Sequence, residues 1–324
     1  MWKVMILLFL ILVPLNSALS KELTYTDKLG RTVTIKTPAT RVVSLLTYEI
    51  ILALKCDDKL VGIGRWAYDN HFINTIKPDV KNIPSPGTGL DVNVEHLLVL
   101  NPELVITWTM REDVVKFLEG KGIKVIAVLP DAIDELYDVI RLHGNIFGKP
   151  ERAEEIIVEM RRLFTLIEKR VSKIPLNQRK KAIWTYSRAT NVNGNSGMIA
   201  EIFKIINVNN PASHIPQRQY STSLEEIVKW NPDHMFLWWG STEYKIKELR
   251  ENSQWRLISA VKNGRIWKSS EWSTISPAIA VTALWMAMKV YPDQFKDISF
   301  EKVADGFFRK VYGVSYNKIW FEKE

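Results

Sequence analysis

The chain has one cysteine, Cys56, in 324 residues, so no internal disulfide can form. Cys56 also lies far from the N-terminal region, which excludes a lipid-bearing cysteine at a processed N-terminus, and a buried structural thiol is expected. Histidine is scarce. His71, His96, His143, His214 and His234 stand apart with no HxH or HExxH pair, so no local motif assembles the converging ligands a bare Zn²⁺ or Mn²⁺ requires. Catalytic signatures are missing too: there is no GxSxG, no P-loop and no CxxC. Gly62-Ile63-Gly64 lacks the third glycine and the helix start of a dinucleotide fingerprint. Charge of one sign is nowhere concentrated. Lys and Arg total 44 against 36 Asp and Glu, a dispersed excess that argues against nucleic acid, which needs a basic stripe. That excess is compatible with an anionic ligand or an anionic membrane surface.

Long apolar runs are confined to the start. Met1-Trp2-Lys3 leads into an apolar stretch from Val4 to Leu15, then Asn16-Ser17-Ala18-Leu19-Ser20. This order of basic start, short apolar core and small residues predicts a secretory signal cleaved after Ser20. The stretch is shorter than the ~20 residues of a membrane span, which disfavours an uncleaved anchor, and no later segment reaches ~18 consecutive apolar residues. A soluble, unanchored exported protein is most easily retained in a periplasm. About 300 residues then remain, near the size at which cores divide into domains.

Short β-branched runs alternate with helical patterns. Arg41–Leu45, Leu60–Ile63, Leu104–Thr107 and Lys124–Val128 read as buried strands, with helices near Tyr48–Leu54, Val94–Leu100 and Glu112–Gly120 between them. Such alternation predicts a mostly parallel sheet covered by helices. A β-hairpin with its turn at Lys28–Gly30 precedes it, completing a first lobe over residues 21–145. From Pro150 the period changes. Ala153, Ile156, Ile157, Met160, Leu163, Phe164, Ile167 and Val171 mark one face of an amphipathic helix, about 22 residues or roughly 33 Å long. Residues 146–175 are therefore expected to connect the first lobe to a second α/β lobe over 176–324, where Lys181–Thr185 and Met235–Leu237 read as strands. A long helix packed inside one large domain is the simpler alternative.

The strongest feature is an internal echo. Asp91-Val92-Asn93-Val94-Glu95-His96-Leu97-Leu98-Val99-Leu100-Asn101-Pro102-Glu103 recurs as Ser221-Thr222-Ser223-Leu224-Glu225-Glu226-Ile227-Val228-Lys229-Trp230-Asn231-Pro232-Asp233. In each copy a small polar residue, Asn93 or Ser223, caps a short helix two positions before Glu95 or Glu225. Each helix ends at Asn-Pro, because proline disfavours helical backbone in the residue before it. A lobe built twice is what a two-lobed cleft protein requires.

With these blocks in place, the sequence resembles the helical-backbone solute-binding proteins of ABC importers, which carry iron–siderophore complexes, haem and cobalamin. The resemblance rests on Thr26-Asp27-Lys28-Leu29-Gly30-Arg31-Thr32-Val33 with Thr37-Pro38-Ala39-Thr40-Arg41-Val42-Val43, on the first echo block, and on residues 278–289 with Tyr291-Pro292. It implies two α/β lobes joined by a single long helix, a ligand cleft between them, and a binding role without catalysis. It also implies that Glu95 and Glu225 dock onto permease arginines. Favourable interaction of a first-turn carboxylate with the helix dipole would place glutamates there as well, and Glu226 leaves the second assignment open.

Ligands of open α/β sheets sit beyond the carboxyl ends of the strands. The segments just past those ends offer Tyr48, Arg65, Trp66, Tyr68, Trp108 and Arg111 in the first lobe, and Tyr186, Arg188, Trp239 and Trp272 in the second. Twelve tryptophans allow several to be core, and Trp184 and Trp267, inside strands, are expected there. An aromatic wall with arginines suits a large, flat or aryl ligand bearing negative charge; a ferric siderophore or haem fits that description, and a corrinoid fits it in part. No resident cofactor is expected; any metal would arrive inside the ligand. A molybdate- or tungstate-type oxyanion held by Arg65, Arg111, Arg188, Ser187 and Ser241 is the second reading. A hydrolase is the third, disfavoured because Glu95 and Glu225 fall on separate lobes, beyond the ~5–10 Å of a glycosidase pair. A sensor ectodomain would need a membrane segment after Ser20. The chain is expected to be a monomer, and its helical rod to permit only modest lobe movement.

Overall fold

A computed structural model of the chain describes residues 21–240 and 244–321; the signal read at 1–20 and Ser241 lie outside the described residues. The hairpin is present, β1 (Lys21–Thr26) pairing antiparallel with β2 (Thr32–Thr37). The first lobe continues as β3 (Val42–Ser44), α1 (Tyr48–Ala53), β4 (Leu60–Ile63), α2 (His71–Ile76), α3 (Val94–Val99), β5 (Leu104–Trp108), α4 (Glu112–Gly120), β6 (Val125–Val128) and α5 (Ile133–Ile146). Its four strands are all parallel in the order β4-β3-β5-β6. Side chains alternate across a strand, so Val43, Val105 and Val125 enter one apolar cluster while Val42, Ile106 and Ile126 enter another. Burial on both faces is why these strands read as unbroken apolar runs.

The connector is α6 (Pro150–Val171), 22 residues long, and every apolar position read from its spacing is buried. Beyond it come β7 (Ala182–Thr185), β8 (Asn191–Asn193), α7 (Met198–Ile205), β9 (Gln219–Ser221), α8 (Leu224–Trp230), β10 (His234–Leu237), α9 (Ile246–Glu251), α10 (Ser259–Lys262), β11 (Ile266–Lys268), α11 (Ile279–Val290) and α12 (Phe300–Val311). The second sheet has the order β11-β10-β7-β8-β9. Its first three strands are parallel, whereas β8 and β9 are antiparallel additions, three residues each and too short to stand out in an apolar pattern.

The sequence echo is a structural one. The side chains of Asn93 and Ser223 accept hydrogen bonds from His96 N–H (2.9 Å) and Glu226 N–H (3.2 Å), capping α3 and α8. Asn101 and Asn231 sit at φ +46° and +45°, the left-handed backbone that asparagine tolerates at helix ends. Each copy then feeds a central strand, β5 or β10, of a different sheet.

The lobes are joined by more than the helix. Phe72 of α2 meets Tyr312 at 5.0 Å between ring centroids, Trp320 at 5.1 Å, Trp272 at 5.3 Å and Phe308 at 5.4 Å. One apolar cluster therefore runs from β3 and α1 through α6 to Trp184, Phe236, α11 and α12. Polar ties reinforce it: Asn70 Nδ2 donates to Glu271 O (2.8 Å), and the Glu271 carboxylate accepts from His71 N–H (2.7 Å). Arg152 of α6 donates to Ala53 O, Lys310 O and Val311 O. Residues 271–321 thus serve both lobes. Cys56 is buried as expected, and burial pushes its thiol up.

Glu49 of α1 lies inside this shared interior and accepts Ser273 N–H at 3.0 Å. Desolvation outweighs that bond and the Ser276 hydroxyl, pushing the carboxyl up from 4.5 to about 7. A folded-state value above the unfolded one means the native state holds the extra proton. Stability is then fully present below about pH 4.5 and falls as pH rises through about 7, by up to about 3 kcal/mol. Urea unfolding midpoints should show that decline, and Glu49→Gln should flatten it.

Candidate functional site

The carboxyl ends of the first sheet gather one cluster. After β4, Arg65 N–H donates to Gly87 O at 2.8 Å, and the next residue, Trp66, is 39% exposed. At the end of β5 the Trp108 ring lies 5.9 Å from Trp66, tilted by 51°. Gly89 packs against it; a Cβ there would come within 3.2 Å of Trp108 Cδ1. Arg111 donates to Leu90 O and forks onto Asp113 (Nε–Oδ1 2.9 Å, Nη2–Oδ2 2.7 Å). The 85–91 segment thus ties together Arg65, Trp66, Trp108 and Arg111, four residues read from the sequence. Tyr68 is half-buried, its hydroxyl donating to Ile83 O at 2.6 Å.

In the second lobe, Tyr186 follows β7 and donates to Arg218 O at 3.5 Å. Tyr244 donates to Tyr186 O (3.0 Å) and meets Thr185 Oγ1 (2.5 Å). Arg188 is exposed on the wall of a cavity of about 290 Å³ shared with Thr190, Tyr244, Glu248 and Trp255. Trp239 is half-buried, its ring 6.1 Å from that of Trp238 and its backbone N–H donating to Ser269 Oγ. That cavity belongs to one lobe, as does another of about 450 Å³ beside Lys36, Glu103 and Lys124 of the first lobe.

Two expected ligand residues are corrected by burial. Tyr48 is 5% exposed and belongs to the apolar core. Trp272 is 3% exposed, with its ring at 4.9 Å from Phe321 and its indole N–H bonded to Thr282 Oγ1 at 2.7 Å. Neither presents a ring face to a guest. The segment after β11 crosses toward α2 instead of stopping at the rim, which a rule about strand ends does not anticipate. Of the strand tryptophans, Trp184 is buried and Trp267 is half-buried under Lys289 Nζ at 4.4 Å.

Sequence reasoning missed two residues. Arg218, ahead of β9, pairs with Asp131 of the first lobe and donates to Pro130 O at 3.3 Å. Asp131 lies just past β6, where the strand-end rule points, but no aromatic marks it; Arg218 precedes a strand too short to read. His143 and His234 are pushed down to about 4 by burial. Among the described residues, no group of three or more His, Cys, Asp or Glu is placed to hold a metal ion, and no helix is long and apolar enough to cross a membrane. Glu95 and Glu225 are both exposed in the first turns of α3 and α8.

The family profile described as periplasmic binding protein matches residues 42–269. The molybdate-binding protein MolA of Haemophilus influenzae is 24% identical over 90% of this chain and 91% of its own length. The iron(3+)-hydroxamate-binding protein YxeB of Bacillus subtilis is 25% identical over 64% of this chain and 66% of its own. Among solved structures, Helicobacter pylori CeuE in a nickel–histidine complex shares the fold at a TM-score of 0.82, with 22% identity over 92% of this chain and 97% of that one. MolA bound to molybdate gives 0.81, with 21% identity over 91% and 99%. The family profile covers well over half of the sequence, and the chain belongs to the periplasmic binding protein family, among the helix-linked (class III) solute-binding proteins of ABC importers, which bind for transport and are not enzymes.

Proposed function

We propose that the protein captures a metal chelate, a ferric siderophore, haem or a related corrinoid-type chelate, between its lobes and delivers it to an ABC permease. The observation that carries this reading is the exposed Trp66 ring beside Trp108, flanked by Arg65 and Arg111 at the carboxyl ends of parallel strands. Indole faces supply apolar and cation–π contact, while guanidinium pairs with carboxylate or catecholate oxygens. Tyr68, Tyr186, Arg188 and Trp239 would complete the lining. The protein would act as a monomer outside the cytoplasm after signal cleavage near Ser20, with Glu95 and Glu225 as its permease contacts. A compact oxyanion is the second reading, favoured by the likeness to MolA along nearly the full length of both chains. Native mass spectrometry with metal analysis, on protein purified from its own host, separates the two. A bound mass of several hundred daltons with iron or cobalt supports the chelate, and molybdenum or tungsten without an organic mass supports the oxyanion. A protein that carries neither class and binds neither when offered would refute both.

A further inference from the structure

Deepening that reading, we propose that Arg218 is the charge-selecting residue of the cleft, held by Asp131 and transferred to the ligand's negative charge on binding. The two side chains come from opposite lobes: Asp131 lies just past β6, and Arg218 leads into β9 beside Tyr186. The guanidinium pairs with Asp131 Oδ1 and donates to Pro130 O at 3.3 Å, so one side chain bridges the two lobes.

The surroundings make this pair exchangeable rather than structural. Asp131 remains compensated without Arg218, because Lys28 of its own lobe binds Oδ2 at 3.0 Å. Lys28 in turn holds Glu135 at 2.6 Å, and Glu135 anchors Asp131 N–H at 2.7 Å. Releasing Arg218 therefore orphans no buried charge, which would otherwise be the main cost. The arginine is about one-quarter exposed and the aspartate about two-fifths, so an anion in the cleft has access to compete. On its own lobe, the Arg218 stem lies over Gly197 at φ +84°, where a Cβ would meet Arg218 Cγ at 2.8 Å. Glycine at 197 thus leaves the groove in which the stem rests. Guanidinium offers two parallel donors to an oxyanion or carboxylate, so an anionic guest gains what Asp131 gives up, and a neutral or cationic guest does not.

The exchange predicts effects of opposite sign. Ferric tris-catecholate and molybdate are titrated separately into wild type, Asp131→Asn and Arg218→Gln. Asp131→Asn removes the competitor and should tighten binding by about two- to fivefold, the range of a part-exposed ion pair. Arg218→Gln should weaken it by roughly tenfold or more, as expected for a lost charged hydrogen bond. If both variants weaken binding alike, or neither alters it, the pair is a lobe clasp or a bystander and the proposal is overturned. If wild type binds neither probe, the function proposed above is what fails. The latch is then judged on ligand-free protein, where hydrogen exchange at residues 215–221 should accelerate in both variants, and unchanged exchange would overturn it.

Discussion

Phe72→Ala should cost about 3–5 kcal/mol, the range for emptying a buried aromatic site, and should lower the unfolding midpoint of both lobes together. Phe72 is fully buried on a helix of the first lobe, yet its four aromatic neighbours all lie at or beyond Trp272, near the chain's C-terminal end. Removing it opens a void where two lobes share one interior. Denaturant unfolding followed by tryptophan fluorescence and by far-ultraviolet circular dichroism should give coincident single transitions in wild type and variant. Separate transitions, with only one displaced by Phe72→Ala, would show that the shared interior does not couple the lobes.

The Glu95→Ala, Glu225→Ala double variant should keep its ligand affinity and lose uptake. Both carboxylates are exposed, each two residues beyond a capped helix start, so truncation removes only solvent-screened interactions with the helix end. Glu225 is favoured over its neighbour because Glu226 is half-buried and pairs with Lys229 at 3.4 Å. Hydrogen bonds from its own N–H and from Ser223 hold the Glu225 carboxyl below the usual range, so it stays charged toward a basic partner. Uptake of the native solute in cells carrying only the double variant should fall to the level of cells lacking the protein. Wild-type uptake would leave the glutamates as helix-dipole residues alone.

Much of the architecture was legible because it obeys simple periods. The doubly buried parallel strands appear as apolar runs, α6 as an i, i+3, i+4 stripe, and the duplication as a fixed spacing of Glu, Asn and Pro. The short antiparallel strands β8 and β9 were not legible, since each has only three residues and those of β9, Gln219, Tyr220 and Ser221, are exposed and carry no apolar signature. Among the candidate ligand residues, Trp66, Trp108, Arg65 and Arg111 are brought together by the 85–91 segment, whose course no local pattern specifies. Tyr48 and Trp272 failed because an aromatic residue looks the same in sequence whether it faces a cleft or a core. Arg218 was invisible for the complementary reason: its partner Asp131 lies 87 residues away, and only the folded lobes bring them together.

The decisive measurement is a tryptophan-fluorescence titration of wild type and Trp66→Ala with a panel of metal solutes: ferric tris-catecholate, ferric hydroxamate, haem, cobalamin and molybdate. A guest lodged at the strand ends of the first lobe should saturate the wild type at one equivalent, quench its emission, and bind Trp66→Ala at least about tenfold more weakly, as for a stacked aromatic contact. Saturable binding left unchanged by Trp66→Ala, or no binding of any solute in the panel, would place the guest elsewhere or deny it altogether.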